Sequence, residues 1–417
     1  MKLFTKIKAT LYALSAGIFV IAVLLVCTAS GNSKTLDAYY KDYIRADNYK
    51  NIYVYDCNGE GIYKGAFSDD EVLRTATFHI IGDRFGSVPN SVLSTENSKP
   101  QEVSKLTGYA PKTNIIYLTI DNRMQKGAYE ILAKGDYKGC IIVSDYTTGE
   151  IKTMVSYPSV DVFTPENAKD GAFLNKAAIT YPPGSVFKAV TVAAILEKDA
   201  SAKDFYYNCS GKAYHISCYH NIPHYQQPFS KVLSNSCNCG ISTAAKKYLT
   251  PTELNNFAKK SGVLSSEVIA DMSIAKGSMD ANDDLMWAAN GQSKNMVTPL
   301  GVVAYYNAIA NGGLRHTLYI KSDTETGEAE RIMSKATAEF ISKSLENVTK
   351  SLGINCKTFA KTGTAELDNA QSHAWFACCI NDSNAPAYTV LVFLQNGGIS
   401  TNAKAITKKF INNYILD

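Results

Sequence analysis

The stretch "TYPPGSVFKAVTVAAILEKD" at residues 180–199 limits what this chain can become. After Lys188, the run Ala189, Val190, Val192, Ala193, Ala194, Ile195 and Leu196 leaves almost no polar face. A helix that is apolar all round belongs in an interior, so this one is predicted to be central in its domain. Lys188 must then be buried with it, and a buried ammonium is costly unless it is paired or loses its proton. Ser185 stands three residues earlier, about one turn away on the same helical face. A serine hydroxyl is a weak nucleophile until a base takes its proton, and a lysine of depressed pKa can be that base. Pro182, Pro183 and Gly184 make a rigid turn that is predicted to place Ser185 at a helix N-terminus. Free backbone N–H groups there can meet a developing oxyanion.

Taken alone, Ser-x-x-Lys is weak evidence, because a capping serine with a surface lysine has the same spelling. Two further motifs change the balance. In "LSNSCNCG", Ser236 and Asn238 stand two apart, a hydroxyl able to relay a proton and an amide able to hold a backbone carbonyl. In "AKTGTAE", Lys361, Thr362 and Thr364 put a cation and two hydroxyls around Gly363 in a strand-like context. A cation with hydroxyls suits a carboxylate. Glycine is expected to let a ligand backbone lie close, and an extended peptide can add to a strand edge.

Ser-x-x-Lys, Ser-x-Asn and Lys-Thr-Gly in this order are the set found in penicillin-binding proteins and serine β-lactamases. The chain resembles the class B penicillin-binding proteins, monofunctional peptidoglycan D,D-transpeptidases. The similarity extends through "LTIDNRMQ", "TTGEIKTMVSYPSVD", "FLNKAA", "GQSKNMVTPLGVVA" and "HAWFACCI", roughly residues 115–400. The resemblance implies that Ser185 is acylated by a stem peptide ending in D-Ala-D-Ala, with Lys188 as base. It implies that Ser236 relays the proton with Lys361 and that Asn238 holds the substrate. Thr362 and Thr364 would bind its carboxylate beside Gly363, and the backbone N–H groups of Ser185 and Thr364 would form the oxyanion hole. β-Lactam antibiotics would acylate the same serine. It further implies a membrane glycosyltransferase as partner. It calls for no cofactor and no metal. The "GHG"-like stretch usual ahead of the second motif is replaced by "IPHYQQP".

The fold class expected is α+β: an antiparallel sheet packed with helices. Early strands flank Thr147, Thr148 and Gly149, the middle from Ser185 to about Ala310 is helical, and late strands precede a helix from about Thr401. This transpeptidase-like domain is expected over 113–417, behind a small extension at 31–112. With 46% hydrophobic residues the chain can bury a sizeable core, and its net charge of +4 with interspersed signs argues against nucleic acid.

Lys2, Lys6 and Lys8 precede an uncharged stretch from Ala9 to Ser33. Its centre, "LYALSAGIFVIAVLLVCTA", would measure roughly 28 Å as a helix, close to the ~30 Å bilayer core. Residues 1–30 therefore read as a cytoplasmic tip and single-pass anchor, with the remainder on the extracytoplasmic side of the cell membrane. A cleaved signal peptide is the alternative, with a poor cleavage site before Ser30.

Ten cysteines in an exported chain raise the question of disulfides. Cys209 and Cys218 bracket a short polar segment and can either pair or stay free. Cys57, Cys140, Cys237, Cys239, Cys356, Cys378 and Cys379 lie in or beside apolar runs and read as small buried side chains. "CSGKAYHISCYHNIPHY" gathers Cys209, His215, Cys218, His220 and His224, but Pro223 argues against a helix presenting the last two together. A Tyr- and His-rich surface loop is the reading preferred over zinc.

Other activities share parts of this pattern. A D,D-carboxypeptidase uses water in place of the acceptor amine, and a serine β-lactamase adds fast deacylation. A silent cell-wall scaffold would act by contact alone. "LTPTELNN" superficially offers a deacylating glutamate, but Thr250, Pro251 and Glu253 spell a helix capping box. Asp121 is expected to cap a helix and Glu150 to leave a turn, while His373 and Trp375 should pack near the third motif.

Overall fold

A computed structural model describes residues 7, 10–12, 14–22, 49–98, 103–104, 108–109, 113–350, 352–367 and 370–416. The chain divides into two compact units: residues 1–51 with 101–112, and residues 52–100 with 113–417. In the first, residues 14–22 are helical and Val103–Ser104 pairs with Gly108–Tyr109. Among the described residues no helix is long and apolar enough to cross a membrane. Part of the expected anchor and residues 31–48 of the expected extension lie outside them.

The second unit opens on strands Ile52–Tyr55 and Gly61–Lys64, an antiparallel pair turned at Gly59, where φ is +80°. Asn114–Tyr117 joins the first of these in parallel. Asp121 then caps the helix Asn122–Lys134, its carboxylate accepting from the Met124 N–H, as its spelling predicts.

A five-stranded antiparallel sheet forms the body of this unit. Its spatial order is Thr358–Leu367, Ala370–Ile380, Tyr388–Leu394, Gly139–Asp145 and Ile151–Tyr157. The inner strands read as near-continuous apolar runs because both faces are covered. On one face the helices Asn122–Lys134 and Thr401–Tyr414 close a core around Leu132, Ile141, Phe376, Val390 and Phe410. Facing the helical half of the molecule, Asn307 on the helix Pro299–Ala310 donates to Ser144 on the sheet. Thr358–Leu367 is left at the sheet edge.

The central helix runs from Lys188 to Lys198, and every residue from Lys188 to Leu196 is buried. Burying a large aliphatic side chain fully is worth about 1.5–3 kcal/mol, so this run is a main anchor of the helical half. Tyr305 and Tyr306 fix it from the neighbouring helix, their hydroxyls donating to the Ala189 and Val186 carbonyls.

Several expectations need adjusting. Ser185 does not open the α-helix: Gly184–Phe187 form a 3-10 turn, and Lys188 is the first α-helical residue. The tighter winding nearly eclipses positions three apart, which suits the serine and lysine better than an α-turn would. Cys209 and Cys218 are not bonded, with sulfurs 3.7 Å apart, and Cys57 is exposed rather than buried. The segment expected as a surface loop is instead folded: Tyr206–Cys209 pairs with Tyr225–Pro228, and Lys212–Ala213 with Ile216–Ser217. It buries Cys209 and Cys218.

Candidate active site

The three motifs converge. The Lys188 amine lies 2.9 Å from Ser185 Oγ and 3.1 Å from Ser236 Oγ. It also meets the Ser236 carbonyl at 2.8 Å and Asn238 Oδ1 at 2.5 Å. Lys361 Nζ lies 2.9 Å from the same Ser236 hydroxyl. A continuous path therefore runs from Ser185 through Lys188 and Ser236 to Lys361. Both lysines are fully buried. Burial pushes the Lys188 ammonium down to about 8, and burial with the nearby Lys188 charge holds Lys361 well below the usual lysine range. Two buried amines this close resist being charged together.

Backbone geometry sets these positions. Ser236 has φ of +54°, a left-handed conformation rare for serine. Such strain costs on the order of 1–3 kcal/mol and persists where surrounding structure enforces it. Here it aims Oγ between the two lysines. Asn238 begins the next helix and donates from Nδ2 to the Ser217 carbonyl at 2.8 Å, which orients its amide.

The third motif lies on the edge strand, where burial alternates. Lys361, Gly363 and Ala365 are buried, whereas Thr362, Thr364 and Glu366 line the cleft. Gly363 has a different reason from the one its sequence suggests. A Cβ there would come within 2.9 Å of Val186 Cγ1, 3.0 Å of the Pro183 carbonyl and 3.1 Å of Trp375 Cβ. The missing side chain lets the strand seat against the Ser185 turn, on the protein side. Gly184, with φ of +55°, meets the same strand: a Cβ would lie 2.5 Å from the Thr364 carbonyl oxygen.

Ser185, Ser236, Asn238, Thr362 and Thr364 all face one cleft of about 580 Å³. Trp287, Asn290 and Gln292 also line it, from "WAANGQSKN". Sequence reasoning gave these three no role, because nothing in their spacing shows which way they point. Gly291 between them was a usable signal. Its φ is +79° and a Cβ would fall 2.0 Å from the Gly184 carbonyl oxygen, which presses that loop against the Ser185 turn.

Residues set aside in sequence behave as expected. Glu253 closes a capping box with Thr250 and pairs with Lys198 at 2.6 Å, and it does not line the cleft. Glu150 pairs with Lys152 at the turn exit. His373 is buried against Tyr181 and Phe393, its Nδ1 accepting from the Asn396 N–H. Trp375 is buried behind Gly363 and donates from Nε1 to the Pro182 carbonyl at 3.0 Å, which ties the sheet to the turn carrying Ser185.

Comparison with known proteins places the chain in a family. Residues 139–416 match the penicillin binding protein transpeptidase domain. The peptidoglycan D,D-transpeptidase PbpA of Mycobacterium tuberculosis is 26% identical over 346 residues, covering 70% of this chain and 69% of that protein. The solved structure of penicillin-binding protein A from M. tuberculosis, as a ceftriaxone acyl-enzyme complex, superposes with a TM-score of 0.72 at 20% identity, covering 88% and 99% of the two chains. The crystal structure of Pseudomonas aeruginosa PBP2 does so with a TM-score of 0.72 at 18% identity, covering 88% and 96%. The match over 139–416 shows that the chain belongs to the penicillin-binding protein transpeptidase family.

Proposed function

We propose that this chain is a peptidoglycan D,D-transpeptidase working through a serine acyl-enzyme. The observation that carries the reading is the unbroken path from Ser185 Oγ through Lys188 Nζ and Ser236 Oγ to Lys361 Nζ. Neutral Lys188 takes the Ser185 proton as Oγ attacks the carbonyl of the penultimate D-Ala. Backbone N–H groups of Ser185 and Thr364 receive the oxyanion. Collapse breaks the C–N bond, and the proton taken from Ser185 reaches the departing D-Ala amine through Ser236, whose hydroxyl Lys361 holds. An acceptor amine then attacks the ester, gives up its proton along the same path and restores Ser185. The product is a cross-link.

Asn238 holds the donor backbone, and Thr362 and Thr364 bind its carboxylate. The free edge of Thr358–Leu367 gives an extended stem peptide a strand to pair with. β-Lactams enter as mimics of that donor and leave an ester on Ser185. We assign 1–30 to a cytoplasmic tip and membrane anchor, 31–112 to an extension, and 113–417 to the catalytic domain outside the cytoplasm. A membrane glycosyltransferase would supply the glycan strands.

The test is incubation of the full chain with a donor peptide ending in D-Ala-D-Ala and an amine acceptor. Cross-linked peptide with released D-Ala is expected. Hydrolysed donor alone would make the chain a carboxypeptidase, and no release by a folded sample would make it a scaffold.

A further inference from the structure

A second chemical cluster adjoins the cleft. Cys209 ends the strand Tyr206–Cys209, and its pairing with Tyr225 sets it beside His224. Cys218 follows the short hairpin that ends at Ser217. Cys237 stands between Ser236 and Asn238 of the second motif. The sulfurs of Cys209, Cys218 and Cys237 and a ring nitrogen of His224 all lie within 4.8 Å of one another.

We propose that Cys209, Cys218, Cys237 and His224 form a tetrahedral zinc site that pins the second motif in place. The spacing fits the ion. With Zn–S about 2.3 Å and Zn–N about 2.0–2.1 Å, a regular tetrahedron has S···S edges of about 3.8 Å and S···N edges of about 3.5 Å. The cluster shows 3.7 Å from Cys209 to Cys218, 3.7 Å from Cys218 to Cys237, and 3.6 Å from Cys209 Sγ to His224 Nδ1. A disulfide would need sulfurs at about 2.0 Å.

Backbone donors face two of the sulfurs. The Gly211 N–H donates to Cys209 Sγ at 3.4 Å, and the Gly240 N–H donates to Cys237 Sγ at 3.2 Å. Cys237 is also the N-cap of the helix Asn238–Tyr248, where the helix dipole favours a negative ligand. Cys239 lies 3.5 Å from Cys218 Sγ and 3.6 Å from the Ile216 carbonyl, beside the ligand set rather than in it. Soft sulfur with one imidazole in a tetrahedron selects zinc among the common divalent ions.

Loading balances in charge. Three thiol protons leave as the ion enters, the imidazole stays neutral, and the site carries one net negative charge. Four protein ligands close the coordination sphere, so the ion has no open position for water or substrate. Its work is mechanical. The excursion 206–228 consists of two-stranded pieces, which are marginal by themselves, and the ion would lock it to the loop that holds Ser236 in its left-handed conformation.

This role rests on reading Ser236 and Asn238 as catalytic, whereas metal content does not, so the two can fail separately. The experiment uses the full chain in detergent, purified without chelator, with zinc measured by mass spectrometry and cobalt(II) exchanged in for spectroscopy. About one zinc per chain is expected, with cobalt giving a thiolate charge-transfer band and the intense visible bands of a tetrahedral site. His224→Ala should bind the metal at least about tenfold more weakly in chelator competition, the low end even for losing an outer-sphere partner. Stripping zinc should slow β-lactam acylation, and returning it should restore the rate. Cys209→Ser should lose the ion, and if that variant fails to fold, the wild-type cobalt spectrum still decides. A chain without zinc whose cobalt form lacks the charge-transfer band would overturn the proposal, as would a native Cys209–Cys218 disulfide found by peptide mass mapping.

Discussion

The amine of Lys188 lies 2.9 Å from the hydroxyl of Ser185, inside a helix that is buried along nearly its whole length. A solvated lysine would be protonated at neutral pH and useless as a base. Burial pushes this one down to about 8, so a useful fraction is neutral and can take a proton. Lys188→Met keeps the volume and removes the base. The loss of general-base catalysis should slow acylation by about 10²- to 10⁴-fold, with the fold preserved. Stopped-flow acylation and circular dichroism on the variant check both parts.

The same burial sets a pH dependence. On the proposed mechanism Lys188 must be neutral to accept the Ser185 proton, and burial pushes its pKa down to about 8. Acylation should therefore rise with pH and level off above about 8, falling about tenfold per unit on the acid side, where neutral amine becomes scarce. Rates measured between pH 6 and 10 test the sign directly. A flat profile, or one falling toward alkali across this range, contradicts the assignment.

Gly363 and the turn bearing Ser185 are packed too closely for a methyl group. Gly363→Ala should destabilise the protein by about 1–3 kcal/mol through overpacking and push the turn out of line with Lys188. A lowered Tm together with slower acylation is expected. A lowered Tm with unchanged acylation would separate the strand from the site.

Trp375 holds the Pro182 carbonyl through one hydrogen bond. Trp375→Phe leaves that acceptor without its partner and should cost about 1–3 kcal/mol, with a smaller loss of acylation than Lys188→Met. Denaturant titration and acylation rates on the two variants make the comparison.

Glu253 discriminates between this account and a β-lactamase. It closes a capping box and pairs with Lys198 outside the cleft. Glu253→Gln should leave the lifetime of the β-lactam ester unchanged. Thr250→Ala should lower stability by about 1 kcal/mol, the usual worth of a cap, without touching acylation.

The motifs that meet at the cleft were legible because each is written in local spacing: Ser-x-x-Lys, Ser-x-Asn and Lys-Thr-Gly keep their members within a turn or a few strand residues. Asp121 and the Thr250 box were legible for the same reason. Long-range placement was not. That Cys209 and His224 meet Cys237 depends on how 206–228 pairs with itself and packs on the next helix, and no local period encodes it. The left-handed φ of Ser236 was hidden too, since a neighbouring cysteine and asparagine do not demand it. Gly363 was recognised as necessary for the wrong face of its strand, because burial alternation says which residues share a side but not which side faces the ligand.

The central claim is that Ser185 becomes a long-lived ester when a donor mimic enters the cleft. Intact mass of the full chain, followed for hours after mixing with benzylpenicillin and mapped by peptide digestion, tests it most directly. The account predicts one stable adduct per chain on Ser185, absent in Ser185→Ala. No adduct in a folded sample, an adduct on another residue, or an ester that turns over while penicillin is consumed would contradict it.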